Sequence, residues 1–334
     1  MKKRFLFPIF AALISLTACD FTLFSVEDNT EEEGEKEVPV EVDPTVIDNY
    51  YKDYDLTKTG GRLTVELQKL TFEKHKVYVR YGQINSYYST TTNRNSTEAI
   101  SDGSKTNEWY YTGKRKAGTS GSNREHVWPC ANSGGLWTHD ESAGTTGPHY
   151  VDNSYYVGGG SDLYHVRLCE AKVNTARGNS RFVSFDDPEW SMYKSSIKEF
   201  GENEGLYNIK LYNYETTSSG GIQYAKQTEV DDHMKGDVAR LVLYVWMHYT
   251  ERGVTPTGGY KSGTTTYNYS DMTGALSLSM VMGYDSEERC LEVLKAWNKL
   301  DAPSNVEKLR NETVQKIQGN RNPFVDHPEL VDQL

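Results

Sequence analysis

The sequence predicts an α+β fold in one large domain, and three observations carry that expectation. Val238, Leu241, Val242, Val245 and Trp246 recur at the i, i+3, i+4, i+7, i+8 spacing of an amphipathic helix. Two capping boxes, Asp285 with Glu288 and Ser304 with Glu307, stand before further helical segments. Residues 89–123, in contrast, are rich in Ser, Thr, Asn and Gly around Trp109-Tyr110-Tyr111, a pattern of loop and strand. Helical and extended segments mix along the chain without a repeat, which is α+β order.

Taken in order, the chain opens with Lys2, Lys3 and Arg4, then an apolar run from Phe5 to Leu16, then Leu16-Thr17-Ala18-Cys19. A membrane-spanning helix needs about 20 apolar residues, so this run is too short, and no other run is as long. The segment resembles a bacterial lipoprotein signal, with residues 1–19 removed or processed at a lipidated Cys19. That implies an extracytoplasmic protein, tethered to a membrane by its lipid or secreted. Residues 20–49 hold eleven acids against Lys36 and read as a self-repelling, disordered spacer. The body, residues 50–332, follows as one domain.

Leu63, Leu67 and Leu70 share one face of an expected first helix. Residues 250–283 look irregular and polar, apart from a short apolar patch from Leu276 to Met282, and Gly319 is the expected stop of the helix begun at Ser304. With Cys19 lipidated, Cys130, Cys169 and Cys290 remain, which allows at most one disulfide and fixes no pairing.

Composition excludes a polytopic membrane protein and a collagen-like chain. The formal charge of −11 is concentrated in the spacer, which carries −10, while the body after it carries only −4. Residues 105–181 are locally basic at +2, with Arg167, Lys172 and Arg177 five residues apart. An acidic chain of this kind can therefore still meet nucleic acid.

Four of the eight histidines, His126, His139, His149 and His165, fall between positions 126 and 165. The sharpest signal is Asn123-Arg124-Glu125-His126-Val127-Trp128-Pro129, where a carboxylate and an imidazole are neighbours. Side chains adjacent on a strand point to opposite faces, so the chain must bend for both to serve one site. A metal ligand beside a general base suits metal-assisted hydrolysis; the plainer alternative is a loop histidine with an ordinary hydrogen bond.

This block, with Asp162-Leu163-Tyr164-His165-Val166-Arg167 and Lys172-Val173-Asn174-Thr175-Ala176-Arg177-Gly178-Asn179, closely resembles the bacterial endonuclease I family. Lys235-Gly236-Asp237-Val238-Ala239-Arg240 and the segment Gly319 to Leu330 fit it too, in the same order. The resemblance implies a ββα-metal nuclease core, with His126 as general base and Glu125 and Asn174 as ligands of one Mg²⁺, or of Ca²⁺ or Mn²⁺. It implies an arginine at the phosphate, for which Arg167 is preferred to Arg177, with Arg124, Lys172 and Arg177 as further nucleic-acid contacts. The expected protein is a monomer that cuts DNA, and RNA as well, with little sequence preference.

The chain departs from the commoner family pattern at Tyr164, where a His is usual, and at Leu168, where a Pro is usual. Asp326 and His327 are expected in a packed C-terminal motif. Two other classes compete with the nuclease: a surface-tethered binding module without catalysis, and a zinc hydrolase built from His126, His139, His149 and His165. Zinc prefers nitrogen and sulfur ligands, whereas the matched blocks offer Glu and Asn oxygens.

Overall fold

The computed structural model describes residues 42–79, 81–88, 96–98, 106–129, 132, 158–200, 205–212, 226–253, 259–262, 265–268 and 272–334. All of them belong to one compact unit, Glu37–Leu334. Cys19, Cys130, His139 and His149 lie outside the described residues, as do the signal and most of the spacer.

Helix α1 (Pro44–Tyr51) starts inside the segment expected to be spacer. Asp43 caps it by accepting from the Thr45 amide, Pro44 presets the first turn, and Tyr50 and Tyr51 bury its far end. The acidic composition that argued for disorder ends two turns earlier than the charge count suggested. Helix α2 (Gly60–Lys74) forms where Leu63, Leu67 and Leu70 predict it, and all three are fully buried.

Strands β1 (Asn107–Trp109) and β2 (Lys114–Lys116) form a tight hairpin, and β3 (Ser122–His126) pairs antiparallel with β4 (Val166–Glu170), which runs straight into helix α3 (Ala171–Arg177). A small mixed sheet follows, ordered β5-β8-β7-β6, from β5 (Arg181–Phe182), β6 (Ile197–Phe200), β7 (Ile209–Tyr212) and β8 (Gln227–Glu229). Helix α4 (Asp232–Tyr249) is the spine of the domain, packed against α2 and against α5 (Glu287–Leu300). A hairpin, β9 (Gly259–Ser262) with β10 (Thr265–Asn268), stands in the stretch expected to be irregular. Helices α6 (Asn305–Gln318) and α7 (Pro323–Asp326) complete the chain. Helices and small sheets thus share one core, the α+β arrangement expected.

Capping chemistry explains one hit and one near miss. Ser304 and Glu307 form the full reciprocal box, and Gly319 ends α6 at φ 96°. The other box is displaced by one residue: Ser286, not Asp285, caps α5 by accepting from the Arg289 amide. Glu287 turns back instead to Ser277 Oγ and the Leu278 amide.

On α4, Val238, Val242 and Val245 are fully buried, each contributing about 1.5–3 kcal/mol relative to exposure. Gly236 lets the helix touch the α5–α6 junction, where its amide donates to Asp301 Oδ2 at 2.9 Å. A Cβ there would stand 1.9 Å from the Asp301 carbonyl oxygen. Gly236→Ala should therefore cost about 1–3 kcal/mol in urea unfolding, as overpacked sites do. Beside it Arg240 is wholly buried, held by Glu307, Asp237, Asn298 Oδ1 and the Asp301 carbonyl. The two ends of the chain are latched together: Tyr51 donates to Asp326 at 2.7 Å, and Arg321 clamps the same carboxylate at 2.6 and 2.7 Å. Asp326 thus has the packed role expected of it, and His327 lies edge-on to Tyr51.

Candidate active site

Strands β3 and β4 with helix α3 make a two-strand and one-helix unit that carries the residues singled out above. The ladder sets Glu125 opposite Arg167 and His126 opposite Val166. The strand ends at His126, and the chain bends directly after it, through Val127 and Trp128.

His126 is half-buried, and its Nε2 lies 2.9 Å from the Gly160 carbonyl oxygen. A carbonyl only accepts, so Nε2 carries the proton and the lone pair of the neutral ring sits on Nδ1. Tyr81 stacks on the ring, with centroids 5.6 Å apart and planes at 18°. The same Tyr81 takes the Arg124 guanidinium over its other contacts: Arg124 lies 3.7 Å above the ring and donates to the Tyr81 carbonyl at 2.8 Å.

Glu125 points inward and is 2% exposed. Its Oε1 accepts from Tyr111 at 2.7 Å and from Arg177 Nη1 at 3.0 Å. Burial pushes its carboxyl pKa up, opposed by the Arg177 charge and both hydrogen bonds. Arg177 also donates to the carbonyls of His126 and Val127, so one guanidinium fixes both ends of the Glu-His step. Tyr111 reaches Glu125 from a backbone at φ 70°, a conformation that bulky residues rarely hold. Asn174, on α3, donates Nδ2 to the Arg124 carbonyl at 3.1 Å, which directs Oδ1 away from that bond.

Two expected phosphate contacts are internal instead. Arg167 is 5% exposed, paired with Glu98 at 3.1 Å and lying 4.1 Å over the Tyr110 ring. Glu98 is fully buried and also takes Arg310, so the two arginines share one carboxylate. Arg177 is fully buried against Glu125 and Phe182. Both guanidiniums are thus buried in ion pairs with carboxylates of the same chain. Lys172 is half exposed and Arg124 partly so, and these two keep the role of surface cations.

Tyr164 is also structural, donating to Asn311 Oδ1 at 2.6 Å. Leu168 is buried core. His165 spends Nδ1 on the Gly159 carbonyl and accepts from the Trp128 amide at Nε2. Burial lowers its pKa to about 3, so it is a neutral internal residue. Cys169 and Cys290 are buried free thiols, the latter pushed by burial to about 12.

Residues 59–329 match the family model described as Endonuclease I. The chain belongs to the endonuclease I family. Membership places it among nucleases, enzymes that cleave phosphodiester bonds. It is similar to the extracellular ribonucleases of Bacillus amyloliquefaciens, 33% identical over 213 residues, and of Bacillus subtilis (strain 168), 29% identical over 213 residues. Each alignment covers 64% of this chain and 53% of the relative, so the chain spans about half the length of the curated relatives it matches.

Several residues of this endonuclease I family site escaped sequence reasoning. Tyr81 is one tyrosine among 24, and nothing in its neighbourhood marks it. The Gly160 carbonyl carries no side-chain signature, although the run Gly158-Gly159-Gly160 before the Asp162 block is visible. Tyr111 stands out in the sequence only as part of the Trp109-Tyr110-Tyr111 segment. The described residues also hold a buried His/Asp/His group, His75, Asp162 and His248, whose ligand atoms lie within 4.8 Å of one another. No helix among the described residues is long and apolar enough to cross a membrane.

Proposed function

We propose that this endonuclease I family member hydrolyses the phosphodiester backbone of RNA and DNA outside the cytoplasm, using one divalent ion, and leaves 5′-phosphate and 3′-hydroxyl ends. The observation that carries this reading is the His126 Nε2 to Gly160 carbonyl bond. It holds the ring with its lone pair on Nδ1, next to a buried carboxylate on the same strand. His126 Nδ1 takes the proton of the attacking water. Nothing in that step uses a ribose 2′-hydroxyl, so both nucleic acids are substrates. The names of the Bacillus relatives support RNA in particular.

Glu125 and Asn174 are the residues that would hold the ion. Oε1 of Glu125 is spent on Tyr111 and Arg177, whereas Oε2 accepts no hydrogen bond among the described residues. Asn174 offers Oδ1, because Nδ2 is committed to Arg124. Two hard oxygens suit Mg²⁺, Ca²⁺ or Mn²⁺. When bound, the ion supplies charge stabilisation at the phosphoryl oxygens and the leaving 3′-oxygen. Arg177 and Tyr111 oppose the effect of burial on the Glu125 carboxylate and aim it.

The test is direct: purified protein with RNA and with plasmid DNA, with and without EDTA, and end-group analysis of the products. Cyclic 2′,3′-phosphate ends, or cleavage unaffected by EDTA, would refute the mechanism. Glu125→Gln and Asn174→Ala should each lower activity in a manner that added Mg²⁺ partly restores, read as a rightward shift of the Mg²⁺ titration. Salt dependence follows from Arg124 and Lys172 alone among the expected contacts. Each duplex phosphate contact adds about 0.9 to the log–log slope, so binding measured in Ca²⁺ should give a slope near about −2.

Export rests on the sequence of residues 1–19 and on the extracellular names of the relatives. Attachment through lipid at Cys19 predicts palmitate labelling of the full chain that Cys19→Ala abolishes.

A further inference from the structure

We propose that His75, Asp162 and His248 form a second, buried cation site suited to zinc and separate from the oxygen pair Glu125 and Asn174. The three residues come from distant parts of the chain. His75 follows the last turn of α2, His248 lies near the end of α4, and Asp162 opens the segment that enters β4. All three are at least 98% buried, and each can offer an atom within 4.8 Å of the other two.

The hydrogen bonds set the ligand atoms. Thr71 Oγ1 has carbonyl acceptors for its one proton in Leu67 at 2.9 Å and Gln68 at 3.1 Å, and with the proton so placed the 2.6 Å contact with His248 Nδ1 has the ring as donor. His248 Nε2 is then a bare lone pair, buried and without a hydrogen-bond partner. An imidazole anchored through one nitrogen and unpaired at the other is how metal-binding histidines are oriented. Neither nitrogen of His75 makes a hydrogen bond; the Val77 carbonyl lies near the ring without hydrogen-bond geometry.

Asp162 has the complementary problem. Its carboxylate accepts from the Tyr164 amide, Gln318 Nε2, Tyr244 Oη and Tyr249 Oη, at 2.7 to 3.0 Å. All four donors are uncharged. A buried carboxylate is normally paired with a cation or bound to a metal. Two unpaired imidazole nitrogens and an uncompensated carboxylate within 4.8 Å make a His₂Asp donor set. Zinc accepts such a set, while Mg²⁺ prefers oxygen alone and keeps its waters.

The site would tie α2 and α4 to the loop that positions the catalytic histidine. Gly159 and Gly160, whose carbonyls hold His165 and His126, lie three and two residues before Asp162. The ion is thus structural, and its loss would loosen the support of His126 without touching the hydrolytic ion.

Elemental analysis of the full chain, produced in zinc-supplemented medium and desalted over a chelating resin, should find about one zinc per protein. Protein stripped with a strong chelator and refilled with Co²⁺ should show the visible absorption bands of a tetrahedral nitrogen–oxygen site. Glu125→Gln should keep both signals, and His248→Gln should lose them. Wild-type protein that holds no zinc, gives no Co²⁺ bands and shows a midpoint of unfolding unmoved by chelator would overturn the proposal. So would a nitrogen NMR signal showing His75 to be a buried imidazolium paired with Asp162. None of these readouts depends on nuclease activity, so they can fail while the mechanism above stands.

Discussion

His126→Ala should lower turnover by about 10²–10⁴-fold on RNA and on DNA, with unfolding and Mg²⁺ dependence close to those of the parent. The ring is half-buried and donates to a loop carbonyl, so its removal exposes little core. Backbone contacts that fix the bend, Arg177 to the carbonyls of His126 and Val127, do not need the imidazole. The loss is therefore one of base chemistry. His126→Gln tests the same point with a side chain of similar reach that can still donate to Gly160. If either variant keeps near-parental kcat with saturating Mg²⁺, His126 is not the base.

Glu98→Gln should cost about 3–5 kcal/mol of stability, the loss expected when a buried ion pair is left with unpaired charge. Glu98 is fully buried between two guanidiniums, those of Arg167 and Arg310, and the amide would leave both without a counter-charge. Arg310 also donates to the carbonyls of Thr97, Leu163 and Val166, so the damage spreads to the entry of β4. Urea unfolding measures the loss, and kcat per folded molecule should stay within a few-fold of the parent. A variant of parental stability with turnover reduced by orders of magnitude would place Arg167 at the phosphate.

What was legible in the sequence was the chemistry carried by side-chain identity. Glu125 and His126 announce themselves as neighbours, and Asn174 falls in a block with a family pattern, so the unit that gathers them could be named before its coordinates. Periodicity exposed α2 and α4 because each buries a stripe of Leu or Val, and α6 showed through its capping box. What sequence did not reveal is direction. Arg167 and Arg177 count as two positive charges in a basic region, yet their carboxylate partners stand 69 and 52 residues away, at Glu98 and Glu125. A charge tally has no means of knowing that these cations face inward. The Gly160 carbonyl and the ring of Tyr81 were hidden for the opposite reason: a backbone oxygen has no letter, and an aromatic in a tyrosine-rich chain has too common a one. The cap of α5 slipped by a residue because Asp285 and Ser286 are both good caps, and only the Ser286 hydroxyl is placed to accept from Arg289.

The latch between the chain ends bears on when the protein becomes an enzyme. Tyr51 and Asp326 meet across 275 residues, and Arg310 reaches Glu98 across 212. Gln318 caps the amide of Leu163 and the carboxylate of Asp162 from 155 and 156 residues away. Support for the loop that holds His126 therefore arrives from α6, far along the chain from the loop itself. Long-range closure of this kind is slow compared with local helix formation. A chain whose α6 has not closed against that loop lacks the contacts that hold it. Order around His126 is thereby coupled to completion of the fold as a whole, and not to the local pairing of β3 with β4.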